Sequence, residues 1–222
     1  MNKLRVIGDC HGCTNITHPH KGVSYREIIK DCDWSVQLGD MAFNYSGLEG
    51  IGNRHVFIPG NHDNYDNLPV QALPGYGMVM LGPWSFFHVR GEWSIDINQR
   101  LNSMVNGGIK VWWEEEELNR EEMEEAFNLY KEAKPDVVMS HGCPVSISER
   151  VGNPGVWEYF GWAEKRVTNT QLLLEYMLQT HQPKLWLFGH YHRNWETTVG
   201  DTTFMCVDEL SYVDFNEKWE IV

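Results

Sequence analysis

Short hydrophobic runs recur along the chain, and several of them end at a glycine or serine followed by a polar residue. The runs Leu4–Ile7, Trp34–Leu38 and His55–Ile58 are rich in branched and aromatic residues, which is typical of buried strands. Val137–Met139 and Leu185–Phe188 have the same character. We therefore predict five strands, each followed by a polar loop.

Other segments have helical or hairpin patterns. The spacing of apolar residues predicts helices over Ser24–Lys30, around Leu118–Tyr130 and over Thr170–Thr180. Gly-Pro and Gly-Asp dipeptides between short β-rich runs predict two hairpins. The hairpin strands are predicted at Met78–Leu81 with Ser85–Val89 and at Glu196–Val199 with Thr202–Val207, and a further edge strand at Trp219–Val222.

The alternation of strands and helices predicts an α/β fold. No internal repeat or low-complexity linker divides the chain, so we expect residues 1–222 to form one domain. The hairpins favour two facing sheets with helices outside them over a single parallel sheet.

Charge limits the range of partners. The formal net charge is −13, and no cluster of Lys and Arg offsets it, so nucleic acid is an unlikely partner. Much of the acidity lies in Glu114–Glu125, which we interpret as the solvated face of a helix. No stretch approaches the ~20 apolar residues that span a bilayer, and the N-terminus lacks a signal-peptide pattern. We expect a cytoplasmic protein without a membrane partner, in the host cytoplasm if the chain is viral.

The polar residues that follow the five predicted strands are of types that bind metal ions. They are Asp9 and His11, Asp40, Asn61 with His62 and Asp63, His141, and His190 with His192. Loops at the carboxyl ends of strands gather at one edge of an α/β sheet. Turn chemistry favours Gly, Asn and Asp but does not require so many histidines. Carboxylate, amide and imidazole donors suit Mn²⁺, Fe or Zn²⁺. A pair of ions ~3.5–4 Å apart needs a bridging carboxylate, and Asp40 is the best candidate.

The order D-x-H, G-D, G-N-H-D, H-G and G-H-x-H, from Asp9 to His192, resembles the calcineurin-like metallophosphoesterase superfamily. The resemblance implies a four-layer α/β/β/α sandwich, with two facing mixed sheets and outer helices. It implies two divalent ions, with Mn²⁺ favoured and Fe, Zn²⁺ or Ni²⁺ as alternatives. The implied ligands are Asp9, His11, Asp40 and His192 for one ion, and Asp40, Asn61, His141 and His190 for the other.

The resemblance also implies roles for the two residues that remain. His62 is expected near the leaving group, as a general acid or a phosphate contact, which suits an imidazole. Asp63 is expected either to orient His62 in catalysis or to brace the loop. The ions are expected to lower the pKa of a bridging water, so that hydroxide attacks phosphorus near neutral pH.

Departures from the superfamily's phosphatase motifs guide the choice of substrate. Protein Ser/Thr phosphatases of the superfamily read G-D-x-x-D-R-G and G-N-H-E, whereas this chain continues from Asp40 with Met41-Ala42-Phe43 and ends the second motif at Asp63. We therefore predict a phosphodiesterase for a small-molecule or nucleotide phosphoester. A phosphomonoesterase or protein phosphatase and a non-catalytic scaffold are the alternatives. The natural substrate, the physiological metal and the oligomeric state stay open.

Further residues are candidates for substrate contacts. Candidate phosphate-binding cations are Arg90, Arg100, Arg150 and Arg193, although a solvated surface position is the favoured interpretation for each. The segment Arg90–Asp96 and the pair Trp112-Trp113 resemble loops near the site in small bacterial and phage members. Both are candidate substrate walls, and a place in the hydrophobic core is the alternative for their tryptophans.

Overall fold

The computed structural model describes residues 2–153 and 155–222. The strands are β1 (Leu4–Ile7), β2 (Trp34–Gln37), β3 (His55–Phe57), β4 (Tyr76–Leu81), β5 (Trp84–Val89), β6 (Val137–Ser140), β7 (Leu185–Phe188), β8 (Trp195–Val199), β9 (Thr202–Cys206) and β10 (Tyr212–Phe215). The α-helices are α1 (Tyr25–Ile28), α2 (Ile97–Gly107), α3 (Arg120–Ala133), α4 (Val145–Val151), α5 (Val156–Tyr159) and α6 (Asn169–Thr180).

Within the described residues, the strands form a four-stranded sheet in the order β10-β1-β2-β3 and a six-stranded sheet in the order β4-β5-β6-β7-β9-β8. Both sheets are mixed, because β10, β4 and β8 pair antiparallel with their neighbours while the central strands are parallel. The predicted α/β class is confirmed, and so are both hairpins.

Alternating side chains along the strands create the layers. In β1, Leu4 and Val6 pack between the sheets against residues of the second sheet such as Leu187, whereas Ile7 packs on the other face with Ile28 of α1. The outer face of the six-stranded sheet packs against α3, α4 and α6. Each fully buried aliphatic or aromatic side chain contributes about 1.5–3 kcal/mol. Three hydrophobic clusters therefore hold four layers together, as the predicted sandwich requires.

The C-terminal edge strand differs from the prediction. The strand that pairs with β1 is β10, whereas Trp219–Val222 contributes a single bridge between Ile221 and Phe215. The sequence pattern did not indicate β10, because the strand contains an acidic residue, Asp214. The strand tolerates this carboxylate because it accepts a hydrogen bond of 2.7 Å from the buried Arg5.

The helix α2 was not predicted, and its sequence explains why. It has few core residues, and Leu101 and Val105 are exposed on its surface. Among its residues, the buried one is Arg100, a type that hydrophobic periodicity does not identify. No helix within the described residues is both long and apolar enough to cross a membrane.

The parallel strands bring their carboxyl ends to neighbouring positions. After β1 and β2, the carbonyl of Asp40 accepts hydrogen bonds from the amides of Cys10 and His11, at 3.1 and 2.7 Å. After β6 and β7, the amide of Gly189 donates to the carbonyl of His141 at 3.1 Å. The loops that carry the predicted ligands are therefore tied together by their own backbones.

Candidate metal centre

The seven predicted ligands lie together at this rim. Donor atoms of Asp9, His11, Asp40 and His192 lie within 4.8 Å of one another, and we call these residues the first ligand group. Donor atoms of Asp40, His141 and His190 form a second such cluster. Asn61 belongs with the latter, because its Oδ1 lies 2.9 Å from His141 Nε2 and 3.1 Å from His190 Nδ1. Asp40, Asn61, His141 and His190 are hereafter the second ligand group.

Asp40 lies between the two groups. Its Oδ2 is 3.7 Å from His11 Nε2 in the first group, and its Oδ1 is 3.2 Å from His141 Nε2 in the second. The amide of His62 donates a 2.6 Å hydrogen bond to the same Oδ1 and fixes the carboxylate. One side chain thus faces both groups, which is the arrangement a bridging ligand needs.

The backbone at the ligands is strained. Four of the ligands have φ angles in the left-handed region, which residues other than glycine seldom adopt. They are His11, Asp40, His190 and His192, at 47°, 59°, 66° and 48°. Such conformations cost about 1–3 kcal/mol each and concentrate at functional sites. Folding alone does not require four of them at one rim, so their concentration indicates that the loops are shaped for the position of these side chains.

Two glycines leave the space that the carboxylates occupy. A Cβ atom at Gly60 would collide with Asp40 Oδ1, and one at Gly189 would collide with Asp9 Oδ1. Any larger residue at either place would therefore displace a carboxylate from its group.

The second group is held in place by further hydrogen bonds. His141 Nδ1 lies 2.7 Å from the carbonyl of Leu38, so this nitrogen carries a proton in both the charged and the neutral ring, and Nε2 is the atom left to bind an ion once the ring is neutral. Asn61 Nδ2 donates to Ser94 Oγ at 3.2 Å, and Ser94 Oγ donates to Glu116 at 2.5 Å. This chain of bonds turns Asn61 Oδ1 toward the two imidazoles.

The first group is more open. The side chains of His11 and His192 are 22% and 44% exposed, and their Nε2 atoms face each other at 2.9 Å. Asp9 Oδ2 is buried, finds no hydrogen-bond partner of good geometry among the described residues, and lies 3.0 Å from His192 Nε2. A buried carboxylate oxygen in this state is costly, and a cation among these donors would satisfy it. The residues present therefore fit a divalent ion.

The histidines of the centre differ in protonation. Burial, reinforced by the charge of His141, lowers the pKa of His190 to about 3. Burial also opposes a proton on His192, but the adjacent carboxylate of Asp9 outweighs it and raises the pKa to about 9. Burial would raise the pKa of Asp40, yet the surrounding imidazoles hold it below its usual range. Since a metal binds the neutral imidazole, His190 is ready for one and His192 has a proton to release.

His62 and Asp63 occupy different surroundings. His62 lies at the rim beside His11, with ring centroids 4.9 Å apart, and its Nε2 is 4.0 Å from Asp96 Oδ2. Burial lowers the pKa of His62 to about 4. Asp63 is fully buried and accepts hydrogen bonds from the amides of Met41, Ala42 and Gly60 and from the Tyr45 hydroxyl. These hydrogen bonds support the bracing of the loop, one of the two roles expected for Asp63, and none of them involves His62.

A cleft of about 730 Å³ opens at the rim. Ligands of both groups form one wall, together with His62. Further lining residues come from the loop after β5 and from described residues between α4 and α6. They include Trp93, Trp157, Phe160, Trp162 and Lys165.

The candidate substrate contacts are only partly at this cleft. From the segment Arg90–Asp96, the structure places Glu92, Trp93, Ile95 and Asp96 in the lining. Trp112 and Trp113 are not among the described lining residues, and Trp113 is buried against Phe43 with ring centroids 5.7 Å apart.

The candidate arginines are also elsewhere. Among the described residues, none of Arg90, Arg100, Arg150 and Arg193 lines the cleft. Arg100 donates to the carbonyl of Asn61 at 2.7 Å and to Asp96 at 2.8 Å, so it stabilises the positions of these two residues. Arg193 donates to a backbone carbonyl and Arg90 to the carboxylate of Glu122.

Several site residues were missed by sequence reasoning. Glu116 belongs to the acidic run that we had interpreted as a solvated helix face, but it is 2% exposed and lies before α3 in a short 3₁₀ turn. Ser94 lies in the segment Arg90–Asp96, which was a candidate substrate wall, but its hydrogen bond to Asn61 was not predicted. Trp157 and Trp162 lie in a stretch without regular periodicity. Only the fold reveals that Glu116, Trp157 and Trp162 belong to the site.

Comparison with known proteins assigns the family. The model of the calcineurin-like phosphoesterase family matches residues 3–194. The chain therefore belongs to the calcineurin-like phosphoesterases, and the family predicted from the order of its motifs is confirmed.

One curated protein and one solved structure are similar to this chain. A lariat debranching enzyme from Entamoeba histolytica is 21% identical over 192 residues, which cover 79% of this chain and 53% of that protein. This chain thus spans about half the length of that relative. The structure of the phosphopantetheinyl hydrolase from Mycobacterium tuberculosis is similar with a TM-score of 0.51 at 11% identity, over 94% of this chain and 90% of that one. This likeness shows the fold alone.

Proposed function

We propose that this protein is a metal-dependent phosphodiesterase that binds two divalent ions, with Mn²⁺ favoured, and acts on a small-molecule or nucleotide phosphodiester. The observation that carries the proposal is the pair of ligand groups that share Asp40. When bound, the ions supply positive charge for the phosphate oxygens and activate water for attack on phosphorus. The match to the calcineurin-like phosphoesterase family supports an action on phosphoesters.

The charges around the cleft favour a diester over a monoester. A phosphomonoester carries about −1.5 to −2 charges at neutral pH, whereas a diester carries one fewer ionisable oxygen. Of the described lining residues, Lys165 is the one lysine or arginine, and acidic side chains outnumber it. Asp96, Glu149, Glu158 and Glu164 all line the cleft. The less highly charged substrate is repelled less by this wall.

The chain's own residues would divide the work at the site. Asp40 would hold the two groups at a fixed separation, and Asn61 would be kept in orientation by Ser94. His62 lies outside both groups but at the same rim, within reach of a leaving oxygen. A hydrogen bond from the His62 imidazole would stabilise the charge that develops on that oxygen. Asp63 would keep the loops of Asp40 and Asn61 in register.

A parallel assay tests the proposal. The Mn²⁺-loaded protein should hydrolyse bis(p-nitrophenyl) phosphate faster than p-nitrophenyl phosphate over a range of pH. A preference for the monoester would favour a phosphomonoesterase or protein phosphatase. Failure to cleave either compound in protein that contains its ions would favour the non-catalytic scaffold.

Replacement of His62 separates catalysis from metal binding. His62→Ala should retain the ions and lose about 10²–10⁴-fold in diesterase activity, because the side chain lies outside both ligand groups. Metal analysis of the purified variant and its initial rates provide the two readouts. Loss of the ions in this variant would instead make His62 a structural part of the centre.

A further inference from the structure

We infer that the tryptophan wall of the cleft, formed by Trp93, Trp157 and Trp162, is a binding site for the nucleobase of a nucleotide diester. This inference rests on the proposed function, since it names the substrate class for the same cleft. All three indoles line the cleft that contains the candidate ligands. Each is partly exposed, so indole surface remains available to a ligand.

The indoles are arranged to offer flat surfaces. The planes of Trp93 and Trp157 are within 10° of parallel, with centroids 6.1 Å apart. Trp162 meets Trp93 edge-on at 5.1 Å, and its Nε1 donates to the carbonyl of Ile95 at 2.7 Å. This hydrogen bond and the edge contact fix the wall in place. Flat aromatic walls bind nucleobases by stacking, with little dependence on the identity of the base.

The wall lies on the His62 side of the rim. Ile95, which anchors Trp162, is followed directly by Asp96, whose Oδ2 is 4.0 Å from His62 Nε2. A group that leaves from phosphorus beside His62 would therefore extend toward the indoles. The wall is placed to hold the leaving nucleoside and not the phosphate.

The charges at the wall distinguish a nucleobase from other apolar groups. Glu149 and Glu158 line the same part of the cleft, and carboxylates accept hydrogen bonds from the amino groups of bases while repelling additional phosphates. Tryptophans also bind quaternary ammonium groups. Here, however, the guanidinium of Arg166 already lies 4.2 Å from the Trp162 ring centroid and 5.6 Å from that of Trp93. This guanidinium would repel a second cation but not a neutral planar base.

Binding of simple phosphomonoesters tests the site apart from diester turnover. Calorimetric titration of the Mn²⁺-loaded protein with adenosine 5′-monophosphate, ribose 5-phosphate and phosphocholine compares three phosphates with different attached groups. The adenosine compound should bind about tenfold or more tightly than ribose 5-phosphate, because one stacked base adds that much affinity. Phosphocholine should bind no better than ribose 5-phosphate.

Variants locate the effect on the wall. Trp157→Leu should weaken binding of adenosine 5′-monophosphate by about fivefold or more and leave ribose 5-phosphate unchanged. Trp157→Phe should retain most of the affinity, since it retains an aromatic face. Tyr159→Leu is the matched control, because Tyr159 is on the same helix, is 79% exposed and is not among the described lining residues. It should change neither affinity.

The outcomes separate this inference from the proposed function. The nucleobase site would be overturned if adenosine 5′-monophosphate did not bind, or bound no more tightly than ribose 5-phosphate. Tighter binding of phosphocholine than of ribose 5-phosphate would also overturn it. So would an equal loss of affinity for adenosine 5′-monophosphate and ribose 5-phosphate in Trp157→Leu. A base preference in a protein that cleaves neither chromogenic ester would support the site and refute the phosphodiesterase. Diesterase activity without a base preference would support the phosphodiesterase and refute the nucleobase site.

Discussion

The two ligand groups are built from similar side chains but differ in how they are held. In the second group, His141 is fully buried and its orientation is fixed by the carbonyl of Leu38, while Asn61 is fixed by Ser94. In the first group, His192 is 44% exposed and its ring nitrogen faces that of His11. Ligands that are already in place lose less entropy when an ion binds. We therefore expect the second group to bind its ion more tightly and the first group to exchange its ion more readily.

The largest effect is expected where the groups join. Asp40→Ala should remove both ions, because each group loses a carboxylate oxygen and the loops lose the hydrogen bond to His62. Metal analysis after gel filtration measures the content, and circular dichroism checks the fold. Full metal content in this variant would refute the bridging role of Asp40.

Replacement of a ligand that belongs to only one group should remove one ion. His192→Ala takes an imidazole from the exposed first group and leaves the second group complete. The metal content should fall by about one ion per chain, and the remaining ion should resist a weak chelator. Loss of both ions would show that the groups cannot be filled separately.

A smaller effect should follow from loosening Asn61. Ser94→Ala removes the hydrogen-bond acceptor of Asn61 Nδ2 and should weaken the second ion by about 10–100-fold, with the first unchanged. Metal titration with a competing chelator measures both affinities. Ser103→Ala, at an exposed position in α2, serves as the control. If the two variants have the same affinities, the hydrogen bond to Ser94 does not matter for the second group.

The smallest effect concerns stability near the second group. Glu92 is buried next to Gly142, and burial raises the pKa of its carboxyl from 4.5 to about 8. The native state therefore binds a proton that the unfolded chain releases, so this residue lowers stability as pH rises from about 4.5 to about 8. Glu92→Gln should remove that decline, by up to roughly a few kcal/mol at the alkaline end.

Urea unfolding of metal-free protein at several pH values provides the test for Glu92. The difference in free energy of unfolding between Glu92→Gln and the wild type should grow in favour of the variant as pH increases. Parallel pH profiles for the two proteins would mean that the carboxyl titrates normally.

The sequence was sufficient to predict many of the strands and helices. Buried strands such as β1 and β7 consist of contiguous apolar residues, so their positions followed from local composition. The strand β10 and the helix α2 did not, because each depends on a charged residue whose partner is distant in sequence. Asp214 pairs with Arg5 across 209 positions, and Arg100 reaches the Asn61 carbonyl across 39. Hydrophobic periodicity contains no information on such pairs.

The sequence by itself determined which candidate donors gather at the rim, because the family's motifs are local: a strand, a tight turn and a polar residue can be recognised within a few positions. Only the tertiary structure decided how these donors are supported and which other residues line their cleft. Glu116 is connected to Asn61 through Ser94, and Trp157 lines the cleft, yet both come from segments without a motif of their own. Their roles arise from packing between distant parts of the chain, which depends on the whole fold and not on any local pattern.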